Sequence, residues 1–308
     1  MYLLYRTLLT PLCFIIFNGG ALVLSLIWFH LLNLVVRNPK RRQYYARLSV
    51  SLSFRLFIKL LCVLRLIKVR FEHFERLSCE GSRPGVILVA NHPSLIDYVL
   101  IASRLEHINC VVKEALRHNF FLKGIVKATG YLANDDPEAF LQLGSACLAQ
   151  GEDLLIFPEG TRTSRTREFR LRRGAAALAV HSGRPLQVIT ITLSTEFLSK
   201  EKRWYHVPRT CPEYVLSVGE KLSPDELPEP SLSDVPTASP AEELPEVHAA
   251  GLPENSAMDG ATPQAHDADC GPDNAAEPEA LSLRTRRLNR RLTEILKHAS
   301  NGSFKYGT

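Results

Sequence analysis

The longest apolar stretch opens the chain. Between Thr7 and Val36 there is no Lys, Arg, Asp or Glu. These thirty residues exceed the ~20 a helix needs to cross a bilayer. A signal peptide would be shorter and would end in a small-residue cleavage site, so residues 1–36 are predicted to be a membrane anchor. Because Asn18-Gly19-Gly20 interrupts the run, the anchor either spans or re-enters the bilayer. Leu48–Val69 is apolar too, but Arg55, Lys59, Arg65 and Lys68 punctuate it. That pattern suits a helix lying at the membrane surface with its cations reaching lipid phosphates, or else a second buried helix of the folded domain. Residues 37–76 thus read as a basic linker and interfacial helix.

Past residue 76 the apolar runs shorten and alternate in period. Val69–Phe74, Gly85–Ala90, Ile108–Val112, Tyr131–Ala133, Asp153–Phe157, Leu186–Leu193 and Tyr214–Val218 read as strands. Leu95–Leu105, Ala115–Ala128, Pro137–Gln150 and Gly174–Ser182 read as helices. Such alternation predicts an α/β fold over residues 77–223, with a mostly parallel sheet flanked by helices. Residues 224–280 hold ten of the nineteen prolines and no aromatic residue, a composition that predicts a disordered insert. Helical period returns at Leu281, Leu288, Leu292, Ile295 and Leu296, so residues 281–308 form a basic terminal helix and tail.

Charge sharpens this picture. The net charge of +5 averages over opposed blocks: twelve Lys/Arg against two acids in residues 1–76, and fourteen acids with no Lys or Arg in 224–280. Basic ends beside an apolar start favour an anionic membrane surface over nucleic acid. The cluster Arg37, Lys40, Arg41, Arg42 and Arg47 follows the apolar stretch, with Arg6 alone before it, which places the downstream chain on the cytoplasmic face of an inner membrane. Seven scattered cysteines without a Cys-x-x-Cys pair argue against a disulfide framework or structural zinc.

The candidate chemistry sits at two strand exits. Asn91-His92-Pro93-Ser94-Leu95-Ile96-Asp97 follows the Gly85–Ala90 run, and Phe157-Pro158-Glu159-Gly160-Thr161-Arg162 closes the Asp153–Phe157 run. A histidine beside a carboxylate can take a proton from a hydroxyl near neutral pH. Ser94-x-x-Asp97 also matches a capping box, and Glu159 with Arg162 could be a local ion pair of little worth in solvent. No Gly-x-Ser-x-Gly, P-loop or Gly-x-Gly-x-x-Gly is present, which argues against an enzyme nucleophile of the hydrolase kind and against nucleotide chemistry.

Together, complete and in order, the two stretches resemble the signatures of the glycerophospholipid acyltransferase family over roughly residues 85–222. The resemblance implies a membrane-bound O-acyltransferase that moves a fatty acyl group from an acyl thioester to the hydroxyl of a lysophospholipid-type acceptor. The thioester is carried by acyl carrier protein or coenzyme A and serves as co-substrate, and no metal or bound organic cofactor is implied. It implies His92 as general base and Asp97 as its partner. It implies substrate binding by Asn91, Ser94, Lys113, Glu159, Gly160, Thr161 and Arg162, the last suited to phosphate. Arg165, Arg167, Arg170, Arg172 and Arg173 add a positive loop for lipid headgroups or the carrier. Two departures stand out. The family's second region continues into an Arg, where this chain has Ala133-Asn134-Asp135-Asp136, and the usual Val-Pro of the fourth strand is lacking, Pro185 preceding Leu186-Gln187-Val188. They point to a different acceptor, with a lysophospholipid, an amino-acid lipid and an envelope polyene lipid as candidates. The rival readings are a hydrolase using the same His and a non-catalytic membrane scaffold that retains the fold.

Overall fold

The structure, a computed structural model, describes residues 2–77, 85–133, 136–164, 166–225 and 273–302. The described residues up to 225, together with 281–302, cluster as one compact unit. Most of the expected disordered insert, the Asn134-Asp135 departure and Arg165 therefore lie outside the described residues.

Among the described residues seven strands form one sheet: β1 Lys68–Glu72, β2 Ile87–Ala90, β3 Asn109–Val112, β4 Leu132–Ala133, β5 Leu154–Ile156, β6 Leu186–Leu193 and β7 Glu213–Leu222. Their order is β1-β7-β6-β2-β5-β3-β4, and every pairing is parallel except β6 with β7. The central strands are apolar on both sides because helices cover both faces. Leu88, Ala90, Leu155, Ile189 and Ile191 join one core, while Ile87, Val89, Leu154, Ile156 and Val188 join the other. Successive side chains thus alternate between the two layers.

The first layer is built from the N-terminal helices. Helix α1 (Tyr2–Val23) passes through a π-helical turn (Leu24–Trp28) into α2 (Phe29–Val35), so the Asn18-Gly19-Gly20 stretch does not break the helix. Asn18 turns its amide back onto the Phe14 carbonyl, and a Cβ at Gly19 or Gly20 would meet nothing within 4 Å. Leu3–Val35 has a mean hydropathy of 2.2 and is long and apolar enough to cross a membrane. It is docked on the domain. Arg6 donates to the carbonyls of Leu66, Pro208 and Thr210, and Phe17 packs its ring on Phe54 and Phe57.

Helix α3 runs from Pro39 to Val63, earlier than the expected Leu48–Val69, because Asn38 caps it and Pro39 fits its first turn. Its buried face of Ala46, Val50, Phe54, Ile58 and Leu61 packs on the domain, and Tyr44, Tyr45, Leu52, Leu56 and Val63 remain exposed. Helix α4 is only Asp97–Ala102, shorter than the expected Leu95–Leu105. The expected Ala115–Ala128 helix is two, α5 (Ala115–His118) and α6 (Lys123–Thr129). Asn119 accepts from the amides of Phe121 and Leu122 and so competes with the helical ladder.

The second layer holds α7 (Pro137–Ala149), α8 (Gly174–Ser182) and α9 (Asp273–Gly302). Leu288, Leu292 and Leu296 of α9 are fully buried in that core. The helix begins ahead of the expected Leu281, in a stretch containing the strong helix formers Ala275, Ala276 and Ala280.

Candidate active site

Parallel pairing brings the two sequence motifs together. Because Val89 of β2 is in register with Ile156 of β5, their next residues leave the same edge of the sheet side by side. Asn91 fixes the exit of β2. Its side-chain amide donates to the Ile191 carbonyl (2.8 Å) and accepts from the Ile191 amide (2.7 Å), standing in for one more rung of the ladder with β6.

His92 then sits between two carboxylates with different tasks. Its Nδ1 is 2.9 Å from Oδ2 of Asp97, at the first residue of α4. The same oxygen accepts from the Ser94 amide at 2.7 Å. The second carboxylate, Glu159, accepts from the backbone amide of His92 (2.9 Å) and from the Thr163 hydroxyl (2.8 Å). The Thr163 amide in turn donates to the His92 carbonyl at 2.7 Å. One motif therefore clamps the backbone of the other. The Phe157 ring stacks on the imidazole, with centroids 4.4 Å apart.

The electrostatics follow from burial. Asp97 is fully buried, and desolvation pushes its carboxyl above the ordinary range, against the opposing pull of His92, the Ser94 amide and Arg162. Desolvation also raises Glu159, opposed by the Thr163 hydroxyl and the His92 amide. The His92 side chain is 19% exposed. With Nδ1 held by the carboxylate, Nε2 makes no hydrogen bond among the described residues and is free to meet a hydroxyl.

Several expected substrate contacts have other work here. Asn91 and Ser94 are wholly buried. The Ser94 hydroxyl bonds the Phe197 carbonyl (3.1 Å) and the Tyr214 hydroxyl (2.9 Å) rather than a helix amide, so only the Asp97 half of the capping box forms. Arg162 donates through Nη1 to the carbonyls of Leu198 (2.9 Å) and Ser199 (2.7 Å), which commits part of its fork to the loop after β6. Gly160 takes φ +64 and lies against Arg172, where a Cβ would stand 2.7 Å from Nε. Thr161 is exposed, and Lys113 lies exposed just past β3 on the same sheet edge.

Thr163, Phe157, Leu198 and Tyr214 were not singled out by their types. Leu198 is one of three non-glycine residues with positive φ (+54) among the described residues, and its carbonyl also accepts from the Leu95 amide.

An apolar seam of about 70 Å³ opens beside Leu95 and Ile96, walled by Cys13, Phe14 and Phe17 of α1 and by Phe57 and Leu61 of α3. A larger hollow of about 1380 Å³ lies at the opposite edge of the sheet, between Lys40, His107 and Arg184, and no motif residue lines it.

A histidine braced by a buried carboxylate at the carboxyl edge of such a sheet can activate a hydroxyl without an enzyme nucleophile, which is what transfer of an acyl group requires. The same architecture is that of an acyltransferase domain: the acyltransferase family model matches residues 67–194. Over that stretch the chain is similar to acyltransferases. It is 30% identical over 110 residues to mouse 1-acyl-sn-glycerol-3-phosphate acyltransferase alpha, covering 35% of this chain and 39% of that protein. It is 28% identical over 183 residues to 1-acyl-sn-glycerol-3-phosphate acyltransferase of Pseudomonas aeruginosa, covering 58% of this chain and 68% of that one. The chain thus spans well under half of the mouse relative. The crystal structure of the 1-acyl-sn-glycerophosphate (LPA) acyltransferase PlsC from Thermotoga maritima superposes with a TM-score of 0.55 over 73% of this chain and 89% of that chain. Its 18% identity speaks for the fold.

Proposed function

We propose that this chain is a membrane-attached O-acyltransferase. It moves a fatty acyl group from an acyl thioester, on acyl carrier protein or coenzyme A, to the hydroxyl of a lysophospholipid-type acceptor. The observation that carries this reading is the His92–Asp97 pair, 2.9 Å apart, with Asp97 buried and the imidazole partly exposed. His92 Nε2 takes the acceptor's hydroxyl proton as the oxygen attacks the thioester carbonyl, and Asp97 steadies the imidazolium that forms. The tetrahedral intermediate collapses, the C–S bond breaks, and the thiolate leaves with the proton that His92 returns. An ester and a free thiol result.

Asn91, Ser94 and Glu159 act here by holding the His92 turn rather than by touching substrate. Lys113 and the donors left over on Arg162 supply cationic contacts for the acceptor's headgroup. The apolar seam beside Leu95 and Ile96 is where the acyl chain would enter, between α1 and α3. No step calls for a metal or bound cofactor. On this reading the site works at the cytoplasmic face of an inner membrane, the side favoured by the cations from Arg37 to Arg47, with α1 as the attachment.

The test is acyl transfer in membranes carrying the protein, with labelled acyl-carrier protein and acyl-coenzyme A offered to a panel of lysolipids. Acceptor-dependent product that disappears in His92→Ala is expected. Acyl release without any acceptor would replace this reading with a hydrolase, and loss-free turnover in His92→Ala would remove the proposed base.

A further inference from the structure

The connection between β6 and β7 carries a surface that the reaction above does not use. It reads Lys200-Glu201-Lys202-Arg203-Trp204-Tyr205-His206-Val207-Pro208-Arg209. Glu201 through His206 are all exposed, with Trp204 at 46% and Tyr205 at 42%. Two large aromatic side chains facing solvent beside four cations are not explained by packing in the core.

The loop is held at both ends. Where it leaves the site, Arg162 bonds the Leu198 and Ser199 carbonyls. Where it returns, Arg6 of α1 donates to the carbonyls of Pro208 and Thr210. Between these ties Trp204 packs on Phe14 of α1, with ring centroids 5.3 Å apart, and Tyr205 meets Trp204 at 5.6 Å. The Arg203 guanidinium lies 5.9 Å from the Tyr205 ring. Phe14 is flanked on α1 by the exposed Leu12, Ile15 and Ile16. The aromatic pair therefore continues the outer apolar face of α1 and brings it to the mouth of the site.

We propose that the Lys200–Arg209 loop is an interfacial anchor whose partner is an anionic phospholipid surface. Trp204 and Tyr205 lie at headgroup depth, where an apolar ring with a polar edge is best placed, and Lys202, Arg203 and Arg209 meet lipid phosphates. This inference rests on the reading that the chain works on membrane lipids, and adds which surface faces them. An acidic carrier protein would use the cations, but it would leave the aromatic pair and its contact with α1 without a role.

The chain has two tryptophans, which makes the proposal directly measurable on the whole chain. In Trp28→Phe the emission comes from Trp204 alone, and in Trp204→Phe from Trp28 alone. Each is bound to phosphatidylethanolamine/phosphatidylglycerol vesicles whose lipids are brominated either near the headgroup or near the chain end. Trp204 is expected to shift to the blue and to lose most of its emission to the shallow bromines, and less to the deep ones. A quenched Trp28 with an unquenched Trp204 would overturn the anchor while leaving membrane attachment intact. If neither is quenched, both readings fall. Lys202→Glu with Arg203→Glu should weaken the quenching of Trp204. Unchanged quenching with slower transfer from acyl carrier protein would instead assign the loop to the carrier and overturn the proposal.

Discussion

Asp97→Asn separates chemistry from stability at the centre of this site. Oδ2 of Asp97 accepts both from His92 and from the Ser94 amide. Its other oxygen, Oδ1, is buried without a hydrogen-bond partner. An asparagine with its carbonyl at the Oδ2 position keeps both bonds and exchanges one orphan polar atom for another. What it loses is the charge. With 2.9 Å between Nδ1 and Oδ2, the charge centres of imidazolium and carboxylate lie about 4 Å apart, where an effective dielectric of about 20 gives about 4 kcal/mol of attraction. If half of that is expressed in the transition state, the rate falls about 30-fold, and if all of it, about 1000-fold. The effect on stability has the opposite sense. A carboxyl whose pKa is raised by folding holds its proton more tightly in the native state. Its ionisation then costs stability, by nothing below the unfolded value of about 4 and by the full amount above the folded value. Burial raises Asp97 in this way, so the asparagine variant should melt no lower than the wild type at neutral pH. It should also lack the Asp97 share of the fall in stability as pH rises from about 4. Transfer assays on the purified variant and melts across this pH range read both effects. A variant that keeps nearly full activity would refute the charge argument. One that loses activity only by melting several degrees lower would reduce Asp97 to a helix cap.

Four further substitutions, at three positions, test the scaffold. Glu159→Gln retains an acceptor for the His92 amide and should fold normally. Glu159→Ala leaves that amide and the Thr163 hydroxyl without their acceptor, at a cost of about 1–3 kcal/mol in a thermal melt, and should lower transfer by letting His92 drift. Gly85→Ala would place a Cβ 2.1 Å from the backbone oxygen of Glu152, a clash of backbone that no rotamer relieves, so little soluble folded protein is expected on expression. Tyr214→Phe removes the hydroxyl partner of Ser94 inside the core and should cost about 1 kcal/mol, with transfer reduced in proportion to any movement of the His92 turn. Unchanged melts in both Glu159→Ala and Tyr214→Phe would show that these bonds do not hold the site.

The parts of this architecture that rest on local pattern were legible in the sequence. Ile87–Ala90 stands out because both faces are buried, which leaves an unbroken apolar run, and Leu186–Leu193 stands out by its β-branched residues despite the polar Gln187, Thr190 and Thr192. His92 and Asp97 were legible as a candidate pair at a strand exit, but their spacing fitted a helix cap as well, and it took the resemblance carried by both stretches to name them base and partner. The non-local partners were not. Nothing in the sequence around Tyr214 or Leu198 announces that Ser94 and Arg162 will bond them, since β7 and the loop after β6 meet the two motifs only once the sheet is assembled. Arg162 illustrates the limit from the other side. Its type suits phosphate, yet the fold spends part of its fork on two backbone carbonyls. The split between α5 and α6 was hidden for a similar reason. An apolar run predicts helix, while the break depends on one Asn119 side chain outcompeting the ladder.

The placement of Arg6 bears on how the apolar helix meets a membrane. Composition allows Leu3–Val35 to cross a bilayer, but Arg6 is only 5% exposed and holds the carbonyls of Leu66, Pro208 and Thr210. Farther along, Phe17 rests on α3, Ser25 abuts Gly124 of α6, and the Trp28 indole donates to Ser49. The helix is thus tied to the domain near its start, its middle and its end. To stand across a bilayer away from the domain it would have to release every one of these ties and carry an unpaired guanidinium with it, at a cost of several kcal/mol. Lying along the domain, it keeps them and still presents Leu8, Leu12, Ile15, Ile16 and Leu26 outward. Attachment by one face therefore satisfies both the apolar surface and the buried charge, whereas a full span satisfies only the first. On the proposed function, it also leaves the seam between α1 and α3 beside the outward apolar face of α1, where an acyl chain could pass from lipid toward Leu95 and Ile96.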